Sequence, residues 1–156
     1  MKTYIKFLVN TYIKSFLYVL SIIFSLVFII NLLTELDFFK DIDVSIFFTI
    51  YLSLLNSPSM IFDIFPFIFL ISTQLFFIKL FNNDEIQVFK YSGLKNSKIM
   101  LVISIVSFLI GLGIVSLFYN TSSNLKNLYL EIKSGYTTDG KYLAVINQNG
   151  LWIRDK

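Results

Sequence analysis

Between Lys14 and Glu35 the chain runs for twenty residues, 15–34, without a charged side chain. A helix needs about 20 apolar residues to cross the roughly 30 Å hydrocarbon core of a bilayer, so this run has the length of one membrane span. A cleavable leader would have a shorter apolar core, about 7–15 residues, followed by a small-residue cleavage site. Asn31-Leu32-Leu33-Thr34-Glu35-Leu36-Asp37 offers no such site, and the run reads as a retained span.

Composition extends this to the whole chain. Its 156 residues are 56% hydrophobic and 18% aromatic, only 15% are charged, and the mean hydropathy of +0.74 is that of an integral membrane protein. A net charge of +3 is too small to point to nucleic acid. With no cysteine and no histidine, disulfide frameworks, thiol catalysis, zinc sites and imidazole chemistry are excluded. No acid and base stand at a workable catalytic spacing, so neither an enzyme nor a cofactor is expected.

Between Asp43 and Lys79 the sole charge is Asp63. One helix over that stretch would be about 50 Å long, well beyond the hydrocarbon thickness, so a break is expected at Asn56-Ser57-Pro58, where proline lacks a donor and biases Ser57 away from helix. The expected elements are an interfacial helix over residues 44–55 and a second span over 59–81, kinked by Pro66. Asp63 then reads as a wet residue near a span end. The third span is expected over 99–119, with Gly111 and Gly113 allowing close packing.

Lysines set the orientation. Lys2, Lys6 and Lys14 precede the first span with no acid among them, residues 35–43 hold four acids and one lysine, and residues 79–98 are again lysine-rich. By the positive-inside rule the N-terminus and the segment 82–100 are cytoplasmic and the tail is on the far side. In that tail, residues 120–134 continue the third helix, with Leu125, Leu128 and Ile132 at helical spacing and Gly135 as a stop. Residues 142–146 and 151–154 are β-prone runs around an Asn-Gly turn. A lone hairpin is marginal in water, so they read as the opening of a larger β domain. The expected organisation is a transmembrane domain over 1–119 and an extracytoplasmic portion over 120–156.

The segment 82–100 is a charged island between spans. Asn82 with Glu85 three residues on has the pattern of a capping box, Asp84 and Glu85 suit a helix start, and Gly93 suits a helix stop. A two-turn helix over 84–92 is expected, with Ile86 and Phe89 on one face and Glu85 and Lys90 on the polar side. Periodicity alone favours an amphipathic helix resting on the inner leaflet, its lysines near anionic headgroups.

The order of these features resembles a known family. A first span, the stretch Tyr51-Leu52-Ser53-Leu54-Leu55-Asn56-Ser57-Pro58, a second proline at Pro66, and then Asp84-Glu85-Ile86-Gln87-Val88-Phe89-Lys90-Tyr91-Ser92-Gly93 are similar to the LptF/LptG permeases of lipopolysaccharide export. Glu85, Ser92 and Gly93 match the family pattern in the island, and Lys90 suits its variable basic position. Asn149-Gly150-Leu151-Trp152-Ile153-Arg154-Asp155 looks more like the LptG than the LptF tail.

The resemblance implies an all-α membrane fold with interfacial and coupling helices and the start of a periplasmic jellyroll-like β domain. It also implies a Gram-negative inner membrane, six spans in the full permease, and a chain that is its N-terminal part. The implied partners are an LptB-like ATPase dimer, an LptF-like second permease subunit, an LptC-like protein and lipopolysaccharide itself. The island becomes a coupling helix seated on the ATPase through Glu85, Ile86, Phe89, Lys90 and Gly93. Lys40 stands where a lipid-phosphate contact is implied, although Thr34 and Asp41 replace other basic positions; on chemistry alone Lys40 reads as a solvated interfacial lysine. The alternative to a transport subunit is a small membrane-anchored interaction or assembly protein whose island lies on lipid.

Overall fold

A computed structural model describes residues 3–136, 145–147 and 150–152. Its elements are α1 (Thr3–Phe38), α2 (Ile46–Asn82), α3 (Glu85–Tyr91), α4 (Asn96–Gly113), a π-helical segment (Ile114–Phe118), α5 (Tyr119–Ser134), β1 (Val145–Asn147) and β2 (Gly150–Trp152). Three helices are long and apolar enough to cross a membrane: α1, α2, and the continuous rod from Asn96 to Ser134 that joins α4 to α5. Each exceeds the length needed to span hydrocarbon, so each either tilts or projects beyond it.

Three apolar clusters stack along the bundle. At one end Leu8 and Tyr12 of α1 meet Phe76 and Leu80 of α2, Ile86 of α3, and Ile99 and Ile103 of α4. In the middle Phe16, Val19 and Val27 pack against Ile61, Phe65 and Ile68. At the other end Phe39 meets Leu52 and Leu55 of α2 and Tyr129 of α5. The early residues of α1 therefore lie beside the late residues of α2 and the early residues of α4, an up-down-up arrangement that puts α3 at the opposite end from the α1–α2 connection.

The break expected at Pro58 is absent, and with it the separate interfacial helix over 44–55. Both Pro58 and Pro66 lie inside an uninterrupted 37-residue α2. Pro58 cannot donate to the Leu54 carbonyl, but the adjacent Ser53 carbonyl accepts from Asn31 Nδ2 (2.9 Å) and Ser57 Oγ (2.6 Å). Side-chain donors from the same and a neighbouring helix support the backbone where proline weakens it. In hydrocarbon such support costs less than exposing a broken turn. Asp63, expected near a span end, lies mid-helix as a result.

Gly111 and Gly113 do not mediate close packing within the chain, since a Cβ built on either would meet nothing within 4 Å. The π-helical segment follows Gly113 directly, a widened turn within the continuous rod. In the tail β1 and β2 pair antiparallel, with Val145 opposite Trp152 and Asn147 opposite Gly150. Asn147 and Gly150 are thus paired strand ends where the sequence pattern made them turn residues. The remaining tail residues used for the LptG comparison, Asn149 and 153–155, lie outside the described residues.

Candidate functional site

α3 is seven residues long and sits at the bundle end built around Leu8, Leu80 and Ile99. Its start differs from a capping box. Asn82 is the last residue of α2, Asn83 caps that helix, and Asp84 precedes α3 in the left-handed region at φ 54°. A capping side chain needs an extended backbone at the cap, which this geometry denies. The Asp84 carbonyl instead accepts from the amides of Gln87 (3.0 Å) and Val88 (3.2 Å). Two turns meet here almost without a linker, and a left-handed residue supplies the change of direction.

The helix end is closed by Gly93. At φ +75° it lets the Leu94 amide reach the Phe89 carbonyl (2.9 Å) while its own amide reaches the Lys90 carbonyl (2.9 Å). That pair of bonds is the Schellman arrangement, which satisfies carbonyls the helix leaves open.

The five island residues singled out in the sequence separate into two groups. Ile86 is buried in the core cluster, and Phe89 is half-buried with its ring edge-on to Phe7 at 5.9 Å. Both fasten α3 to the bundle; Ile86 is withdrawn from solvent, whereas Phe89 keeps part of its ring exposed. Lys90 is exposed, and Glu85 is half-buried. One Glu85 oxygen, Oε2, is enclosed with no hydrogen-bond partner among the described residues, while Oε1 meets only Asn83 Nδ2 at 3.5 Å. The outward face also carries Val88 (59% exposed) and Tyr91 (89% exposed). Sequence reasoning missed these two, although both lie off the Ile86–Phe89 face.

At the opposite end the structure assembles a polar cluster that no motif announced. Glu35, fully buried, accepts from Lys133 Nζ through both oxygens (2.9 and 3.0 Å) and from the Tyr129 hydroxyl (2.6 Å). Lys133 also lies over the Phe38 ring, 4.2 Å from its centroid. One turn along α1, Asn31 Oδ1 accepts from Asn56 Nδ2 of α2 (2.9 Å), and the Asn56 side-chain oxygen Oδ1 in turn accepts from Lys126 Nζ of α5. The signal was present as spacing: Asn31 and Glu35 are four apart on α1, and Tyr129 and Lys133 four apart on α5, so each pair shares a helix face. Lys40, by contrast, is exposed in the α1–α2 connection and takes no part in the cluster.

The sequence profile of the lipopolysaccharide export system permease LptF/LptG family matches residues 6–156. The chain belongs to this family. The match covers nearly all of it, taking in every helix described above apart from the first three residues of α1. The family description spans both LptF and LptG and names a permease, the membrane component of the export system. Its three long apolar helices agree with an inner-membrane location for an LptF/LptG protein. No curated protein and no solved structure matches the chain.

Proposed function

We propose that the chain is a permease subunit, or the N-terminal part of one, of a lipopolysaccharide exporter, and that α3 couples it to a separate ATPase. The observation that carries this is Glu85: a carboxylate whose Oε2 has no hydrogen-bond partner among the described residues and whose Oε1 has only the long bond from Asn83 Nδ2, on a short helix packed against one end of the bundle. A carboxylate so placed lacks part of its hydration and gains from a donor brought by a docked protein, an interaction of about 1.5–3 kcal/mol when charge-assisted. Ile86 and Phe89 act as anchors, so a push on α3 passes into α1, α2 and α4 rather than bending the connection. Val88 and Tyr91 offer the apolar contact, and Lys90 stands beside them. Gly93 fixes the direction in which the chain enters α4.

On this reading the α3 end faces the cytoplasm, as the lysines around it favour. The Glu35 end faces the periplasm, and the strands after α5 open a periplasmic β domain that receives lipid. Lipopolysaccharide, a second permease subunit and an LptC-like protein complete the assembly, with Lys40 as a lipid-phosphate contact. Glu85→Lys is expected to abolish co-purification with the ATPase while leaving membrane insertion intact. Unaltered co-purification would refute the coupling role.

A further inference from the structure

The rod from Asn96 to Ser134 meets the rest of the bundle along a stripe whose spacing does not fit a straight α-helix. Val106 and Ile110 pack on the cluster around Leu8 and Phe76, Ile114 and Phe118 on the cluster around Phe16 and Phe65, Ser122 is buried, and Lys126 donates to Asn56. These six positions follow one another in steps of four. Each α-helical residue turns about 100°, so a step of four overshoots a full turn by about 40° and five such steps carry the stripe about 200° round the helix. A straight rod would present its two halves to opposite sides.

The ends of the rod show the same mismatch. Ile99, Ile103, Val106 and Ile110 of α4 face the bundle at one end, and Ser122, Lys126, Tyr129 and Lys133 of α5 face it at the other. In a continuous α-helix the centres of these two faces would lie about 140° apart. The π-helical turn Ile114–Phe118 sits between them. Its i→i+5 bonding takes up one residue more than an α turn, which brings the faces back by about 100°, to within about 40° of each other. The ends also pack on different neighbours, α4 on α1 and α5 on α2, so the faces need not coincide.

The polar end is what keeps this rare, wider turn in place. Lipid is as good a neighbour as leucine for Ile114 and Phe118, so turning them outward costs little. Turning α5 by one residue would instead take Lys133 and Tyr129 from the fully buried Glu35 carboxylate and Lys126 from Asn56. A buried charge without partners is costly where water does not reach it. We propose that Ile114–Phe118 is a register joint, a one-residue surplus held in its π form by this polar latch, so that opening the latch lets the turn relax to α and swings α5 by about 100° about the rod axis. The joint thereby converts the breaking of the Glu35 and Asn56 contacts into rotation of the helix that leads to the tail strands. The inference needs only the rod and its two ends, and it stands apart from the ATPase contact at α3.

The chain has no cysteine, so an introduced pair reports the setting of α5 directly. Phe48→Cys with Tyr136→Cys, at positions whose rings lie 5.3 Å apart just past the latch, should be joined by a short bifunctional thiol reagent in membranes of cells expressing the chain. Deleting Ser116 removes the surplus residue and should keep the yield within about twofold, whereas inserting one alanine after Ser116 should lower it about tenfold. An incidental π turn would let both changes rotate α5 by about 100°, and both would lose the adduct. Glu35→Leu with Lys126→Met and Lys133→Met should lower the yield severalfold in the native-length chain and leave it unchanged in the chain lacking Ser116, where α geometry already turns α5 toward α2. A control pair, Phe16→Cys with Phe69→Cys, at rings 5.1 Å apart across α1 and α2, should be joined in every variant. Loss of the adduct on deleting Ser116, its survival of the insertion, or a yield indifferent to removing the latch would overturn the proposal, as would loss of the control adduct in any variant.

Discussion

Replacing Lys133 by Met separates the contribution of the Glu35–Lys133 pair from that of simple packing. In the native structure the Glu35 carboxylate is fully buried and accepts three hydrogen bonds, two of them from Lys133. Lys133→Met keeps an unbranched side chain of similar length but removes the ammonium that lies over the Phe38 ring and leaves the carboxylate with the Tyr129 hydroxyl alone. Removing one partner of a buried pair costs about 3–5 kcal/mol, because the remaining charge has lost its hydration without compensation. The Lys133 side chain is 19% exposed, so some water reaches the site and the lower end, about 3 kcal/mol, is expected. Glu35→Leu together with Lys133→Met removes both charges. The double variant should return to within about 1–2 kcal/mol of the native protein, less than either single change. Equilibrium unfolding in mixed micelles, followed by helical ellipticity, gives all four corners of the cycle. A loss below about 1 kcal/mol for Lys133→Met, or an additive cycle, would mean that the pair is solvated and does not hold α1 to α5.

Gly93→Ala should cost about 1 kcal/mol by the same assay, because the left-handed backbone at φ +75° disfavours a side chain although nothing lies within 4 Å to clash with it. Gly93→Asn, which tolerates that region better, should cost less; equal losses would place the penalty elsewhere. Tyr12→Phe removes the hydroxyl that accepts from Ser107 Oγ at 2.7 Å and lies 3.4 Å from Thr73 Oγ1, tying α1 to α2 and α4. Bonds of this kind inside membranes average about 0.6 kcal/mol, so Tyr12→Phe should destabilise by about 0.5–1.5 kcal/mol, and a neutral result would remove the tie.

How much of this was legible in the sequence follows from the range of the forces involved. The charge-free run at 15–34, the composition and the lysine distribution fix the number and approximate place of the spans, because burial in hydrocarbon depends on each segment's own polarity. Gly93 as a helix stop was legible for the same reason: a left-handed turn is a local property. Pro58 misled because its effect depends on donors from Asn31 and Ser57, the first of which lies 27 residues away on another helix. The capping pattern at Asn82 and Glu85 failed because α2 persists through Asn82 and moves the cap position of α3 to Asp84.

The same division holds for function. Composition and charge spacing alone make this a membrane protein of three long apolar segments with a short polar helix between the second and third, and the residue order carries the family resemblance. Which island residues are anchors and which are presented depends on how α3 packs against the bundle. Ile86 is buried and Phe89 half-buried against the core around Leu8 and Phe76, leaving Val88 and Tyr91 exposed and Glu85 half-buried beside them. Only the tertiary structure turned Glu35 from one acid among four near the end of a span into a buried, fully bonded latch. Helix periodicity says which residues share a face; what that face meets depends on neighbours distant in the chain, which an isolated segment does not encode.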